Sequence, residues 1–142
     1  MTRAWKPLLT QPLAILALTA TSIALWAAWL GWDQHRDVHP DGSTTGPYEP
    51  WQVIGLALTL LVPVSLAAYR RHFPAAILGA PVGLAIASFY DWSDDASGLF
   101  VIGVGLVVAG SVVASLLVTA LVGTVSGAEG DRRRGSRDAG HR

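Results

Sequence analysis

The chain has no cysteine, no asparagine and a single lysine, and it is short of charge altogether. Without cysteine, disulfides, thiol catalysis and thiolate metal sites are closed to it. Without asparagine there is no N-glycosylation acceptor. Charged residues make up 14% of the 142 positions, against about 25% in an average soluble domain, which leaves too little polar surface to cover an ordinary globule. These deficits exclude a soluble enzyme, a secreted disulfide scaffold and a nucleic-acid-binding domain. What is abundant is apolar: 51% of residues are hydrophobic and the mean hydropathy is +0.43. Nine arginines to one lysine, with many Ala, Gly, Val and Pro, is the coding bias of a GC-rich genome, so a high-GC bacterium is the expected source.

The few charges are spaced to leave four long gaps. No Asp, Glu, Lys or Arg occurs in the 26 residues between Lys6 and Asp33, the 20 between Glu49 and Arg70, the 19 between Arg71 and Asp91, or the 33 between Asp95 and Glu129. Each gap is long enough for a helix to cross a hydrocarbon core of roughly 30 Å. The expected fold is an all-α four-helix transmembrane bundle with spans at about 10–31, 51–69, 75–90 and 98–125. Residues 1–128 form the membrane domain, and 129–142 a short basic tail that is Gly- and Arg-rich, free of large apolar residues and expected to be disordered. The start of span one, with Arg3 and Lys6, looks like a signal peptide. Its apolar run is longer than a signal core and closes on Trp26, Trp29 and Trp32, so it reads as an uncleaved anchor.

Basic residues in short loops resist translocation. Arg3, Lys6, Arg70, Arg71, Arg132, Arg133, Arg134, Arg137 and Arg142 fall on one side, and only Arg36 on the other. Both termini and the turn at Arg70–Arg71 are therefore expected inside, in a bacterial cytoplasmic membrane. Asp33, Asp37, Asp41, Glu49, Asp91, Asp94 and Asp95 make the outer side acidic. Trp29, Trp32, Trp51, Trp92 and Tyr90 are placed for an outer aromatic belt, with Trp5 and Tyr69 at the inner interface.

The spans differ in how well they insert. Span two carries nine Leu, Ile or Val residues, worth about 4 kcal/mol on an insertion scale. Span three has only Ile77, Leu78, Val82, Leu84, Ile86 and Phe89, about 3 kcal/mol, so it is expected to depend on its neighbours. Helices in lipid associate where small side chains let backbones approach. Ala75, Gly79, Gly83 and Ala87 form such a seam on span three, and Ser111, Ser115, Thr119 and Gly123 another on span four. Together they predict a tight hairpin of spans three and four; the rival is that one seam makes a homodimer. Ala20, Ala24 and Ala28 offer a weaker edge on span one. Pro63 and Pro81 sit inside spans two and three as kink sites. Val53-Ile54-Gly55 opens span two and Val101-Ile102-Gly103 opens span four, a short internal echo.

Chemistry-bearing residues are few. The loop Asp33-Gln-His35-Arg-Asp37-Val-His39-Pro-Asp41 alternates acid and imidazole. In an extended segment that alternation directs all five side chains to one side, and His35, Asp37 and His39 are the candidate metal or pH-sensing residues. Gly42 to Pro47 follow directly, which favours a solvated loop. No ionisable residue lies mid-span, which argues against an ion pathway. The glycine spacing at Gly105 and Gly110-Ser111 lacks the lysine of a phosphate loop, and no HExxH or GxSxG pattern occurs. No enzyme activity and no cofactor are expected.

The stretches Gly46-Pro-Tyr-Glu-Pro-Trp-Gln-Val53 and Asp94-Asp-Ala-Ser-Gly-Leu-Phe100 resemble those of small, uncharacterised four-span integral membrane proteins of actinobacteria. The resemblance implies the architecture and the source, and no activity. Both stretches place an acid and a large apolar residue ahead of a descending helix, and Tyr48, Glu49, Asp94 and Asp95 are candidates for a shared ligand site. The function expected from the sequence is structural or accessory, as a partner subunit; the alternative is a small sensor or an oligomeric transporter using the acidic loops. The expected partners are the bilayer, anionic lipid at Arg132, Arg133 and Arg134, and a second copy or another membrane protein, with no nucleic acid.

Overall fold

The computed structural model describes residues 6–140; Arg3, Trp5 and Arg142 lie outside the described residues. Four helices follow in order: α1 (Lys6–Trp29), α2 (Pro50–Tyr69), α3 (Phe73–Trp92) and α4 (Phe100–Ala139). Between α1 and α2 lies a small antiparallel pair, β1 (Asp37–Val38) and β2 (Thr44–Thr45), with Asp37 opposite Thr45. All four helices are long and apolar enough to cross a membrane, so the chain is a multi-pass membrane protein. Asp33, Glu49 and the Asp91–Asp95 segment sit at one end of the bundle, the acidic end. The α2–α3 turn, with Arg70 and Arg71, marks the basic end.

Local signals set the helix ends. Glu49 precedes Pro50 at the start of α2, where proline's missing N–H costs nothing, and the Gln52 side-chain oxygen accepts from the Glu49 backbone N–H at 2.6 Å, half of a capping box. At the basic end Arg71 takes the left-handed conformation, φ 61°, and the His72 N–H bonds the Ala67 carbonyl at 2.9 Å. That closure usually falls to glycine. Pro12, Pro63 and Pro81 lie within helices that run on past them, as interior prolines are tolerated in membrane helices.

The core of the bundle is α3, with 44% of its apolar window buried against 6% for α4. This matches its weak insertion energy: α3 shares with α1 the lowest hydropathy of the four spans and is the one most covered by protein. The small-residue seam on α3, however, faces α1 rather than α4. A Cβ on Gly79 would lie 2.6 Å from the Leu18 side chain, and one on Gly83 would lie 2.7 Å from Ser22 Cβ and from the Thr19 carbonyl. Ala20, Ala24 and Ala28 are exposed; the packing stripe of α1 is instead Leu18, Thr19, Ser22 and Trp26, continued by Leu30 just past its end. The expected pairing of two seams thus fails because larger α1 side chains fill the notches that the α3 glycines leave.

Helices α3 and α4 still pack closely. Phe89 and Phe100 meet edge to face at 5.6 Å, Ser115 and Thr119 are buried, and Val118 and Val122 lie against the core. Gly123, at the foot of the α4 seam, has open space around it. The Val-Ile-Gly echo has a physical counterpart: a Cβ on Gly55 would lie 2.5 Å from the Trp29 ring, and one on Gly103 would lie 2.9 Å from the Trp92 ring. In each hairpin the opening glycine of the descending helix seats the tryptophan that ends the preceding one. Trp29 and Trp92 are therefore turned into protein, while Trp32, Trp51 and Tyr90 at the acidic end and Tyr69 at the basic end are exposed where an aromatic belt belongs.

The tail differs from its expected form. Residues 129–139 continue α4 as helix instead of forming an irregular segment. Composition argues against burial there, yet a helix that already runs through the bundle needs no new nucleus, and each further residue adds a hydrogen bond. At 40 residues, α4 is about 60 Å long, so span four continues well past Val125.

Candidate functional site

At the acidic end the polar groups converge. Gln52, fully buried at the start of α2, donates from Nε2 to Asp33 at 3.1 Å, tying the end of α1 to the beginning of α2. Trp29 Nε1 donates to Thr59 Oγ1 at 3.1 Å and its ring meets Trp51 edge to face. The Tyr48 hydroxyl donates to Asp91 Oδ2, 43 positions away, joining the approach to α2 to the end of α3.

These ties frame a mouth of about 620 Å³ walled by Arg36, Thr44, Tyr48, Asp91, Asp94 and Asp95, with Trp92, Leu99 and Phe100 below. Of the four residues expected to share a site, Tyr48, Asp94 and Asp95 are brought together and Glu49 is not. Its carboxylate turns to Trp51, whose Nε1 donates at 2.5 Å. The mouth adds Asp91 and Arg36, neither of which the sequence marked for a site: Asp91 ends a helix, and Arg36 reaches the mouth only because the 37–45 hairpin folds back.

Two short turns shape the loops. Asp95 accepts from the Ser97 N–H at 3.1 Å and from its hydroxyl at 2.7 Å. Asp41 does the same for Ser43, at 2.9 and 2.6 Å. Such Asx turns pull the chain back on itself, and Gly42 and Gly98 supply the positive φ that follows. The Ser97 bonds hold the Asp95 carboxyl below its ordinary range, with Arg36 adding attraction, and the Ser43 bonds do the same for Asp41.

The Asp/His alternation does not form one extended strand. Only Asp37–Val38 is strand on that side, and the chain reverses between His39 and Ser43, where His39 and Ser43 pair through the backbone at 2.9 Å. His35, Asp37 and His39 are exposed, and the His39 Nε2 is hydrogen-bonded with Thr45 Oγ1 at 3.1 Å. Among the described residues no group of three or more His, Asp or Glu side chains is close enough to hold a metal ion. The turn at 40–43 breaks the period of two on which the gathering depended.

The basic end holds a smaller groove of about 330 Å³, where Tyr69 and Arg71 of the α2–α3 turn face Ser126, Glu129 and Arg133 of α4. No protein family, curated protein or solved structure matches the chain.

Proposed function

We propose that the chain is a non-enzymatic accessory subunit of a bacterial cytoplasmic membrane, with both termini inside, that docks another membrane protein along α4. The observation that carries this reading is the state of α4. Only 6% of its apolar window is buried, Gly105, Gly123 and Gly127 have open space around them, and a helix twice as long as a bilayer needs projects Arg132, Arg133, Arg134 and Arg137 beyond the bundle. Close approach at small residues is how helices associate in lipid. The arginine-bearing extension adds attraction to anionic lipid, about 1 kcal/mol per residue. The orientation rests on the nine-to-one division of basic residues, and the actinobacterial source on the two quoted stretches. A sensor or oligomeric transporter draws support from the three carboxylates at the mouth, but the lack of any ionisable residue mid-span weighs against ion passage.

The test is photo-crosslinking of the tagged full chain in native membranes, with the crosslinker at Leu117 on the exposed face of α4 and, for comparison, at Leu13 on the exposed face of α1. The expected result is a discrete protein adduct from position 117 and none from position 13. Adducts to lipid alone at both positions would end the accessory reading.

A further inference from the structure

Below the mouth lies a second cavity, a cleft of about 480 Å³ walled by α2, α3 and α4 and backed by Trp26 of α1. Its wall includes residues that are themselves exposed, Leu58 and Leu61 on α2 and Gly110 and Ala114 on α4, so it opens sideways toward lipid. Tyr48 and Trp92 line the mouth and the cleft alike, so the two cavities adjoin, acidic above and apolar below. From Val53 to Val64 the cleft follows α2 for about 17 Å at the helical rise, close to the roughly 15 Å hydrocarbon depth of one leaflet.

Two further observations mark this space as built for an occupant. Ser88 and Ser115 line the cleft at 6% and 4% exposure, and neither hydroxyl has a hydrogen-bond partner among the described residues. A serine in a helix ordinarily satisfies itself on the preceding turn, as Ser111 does on the Val107 carbonyl at 2.7 Å. Both hydroxyls are open to the cleft rather than sealed in packing, and Ser88 stands one turn below Trp92. At the mouth, Asp91, Asp94 and Asp95 outnumber Arg36 three to one, a surplus of negative charge that complements a cation.

We propose that mouth and cleft together form a binding site for one amphiphile of the adjoining leaflet, with its ammonium head group among Asp91, Asp94 and Asp95 and a hydrocarbon chain lying between α2 and α4. The head group gains from the carboxylates what bulk water offers weakly, and the chain fills a groove that helix packing leaves open. The site does not depend on docking along α4, and either proposal stands if the other fails.

The test uses the full chain in phosphatidylcholine nanodiscs and measures the motionally restricted fraction of acyl-spin-labelled phosphatidylethanolamine and of the matching phosphatidylglycerol. The expected result is a preference for the ethanolamine lipid of about three-fold, the size an exposed ion pair supports. Asp94→Asn/Asp95→Asn removes the preference. Gly110→Phe, and independently Ala114→Phe, fill the cleft and remove the preference, leaving only the restriction that the bundle imposes on all surrounding lipid, while circular dichroism shows the helices intact. Equal restriction of the two lipids in the parent chain, or a preference that survives both cleft-filling changes, overturns the proposal. So does displacement of the label by free ethanolamine as effectively as by the unlabelled lipid, because the mouth alone would then be the site.

Discussion

Gly83 of α3 lies so close to Ser22 of α1 that a methyl group placed on it would stand 2.7 Å from Ser22 Cβ. Two backbones meet there with only a hydrogen between them, in a medium where hydrophobicity does not drive helices together. This contact, and Gly79 on Leu18 one turn away, make the α1–α3 pair the spine of the bundle.

Enlarging the spine is therefore more damaging than enlarging the other seam. Gly83→Leu forces α1 and α3 apart and is expected to cost at least about 1–3 kcal/mol, the usual range for overpacking. Gly123→Leu enters open space and is expected to change stability by less than about 0.5 kcal/mol. Thermal unfolding of both variants in detergent measures the difference; the reverse order would return the seam to the α3–α4 interface.

Gln52 is fully buried and serves two partners, accepting from the Glu49 N–H and donating to Asp33. Gln52→Leu leaves both without it, at an expected cost of about 1–3 kcal/mol. The loss should appear as a lower unfolding midpoint and as faster hydrogen exchange at the Glu49 amide. An unchanged midpoint would mean that water replaces both bonds.

The Asp95 turn has a defined pH dependence. Its carboxyl is held below its ordinary range, first by Ser97 and then by Arg36, so the ionised form favours the folded turn. That contribution is fully present above the ordinary carboxylate value and is lost as pH falls through the lowered one. Exchange of the Ser97 amide should accelerate only in strong acid, and Asp95→Asn should remove the transition. A transition at ordinary carboxylate pH in the parent chain would show that the turn does not hold the ion.

The extension of α4 predicts a spectroscopic loss. Truncation after Ser126 removes residues that are helical as far as Ala139, so the helical ellipticity of the whole chain should fall by roughly a tenth, in proportion to the residues removed. An unchanged signal per molecule would restore the disordered tail.

The absence of cysteine makes the orientation easy to measure. Ser97→Cys and Ser136→Cys place a single thiol at each end of an otherwise thiol-free chain. In intact bacterial cells an impermeant maleimide is expected to label position 97, and to reach position 136 only after permeabilisation. The opposite pattern would invert the topology.

Much of this molecule was legible from residue order because a bilayer imposes few rules and strict ones. Uncharged runs long enough to cross it became helices, Pro50 and Glu49 set where α2 begins, and the weakest span was recognisable as the one needing neighbours. Tyr48, Asp94 and Asp95 were recognisable as polar groups at helix approaches, which is where a membrane protein must put them.

What the order of residues left open was which face meets which. Every helix here carries small residues on several faces, so the seam on α3 had more than one geometrically valid partner; only the packed bundle sets Leu18 and Ser22 into its notches. The same holds for Tyr48 and Asp91, brought together across 43 positions, and for Arg36, drawn to the mouth by a turn that also dispersed the Asp/His alternation. The bilayer determines from sequence alone that four helices cross it, since each must satisfy its own backbone. Which side chains then touch depends on close packing between helices, a property of shape that no single segment contains.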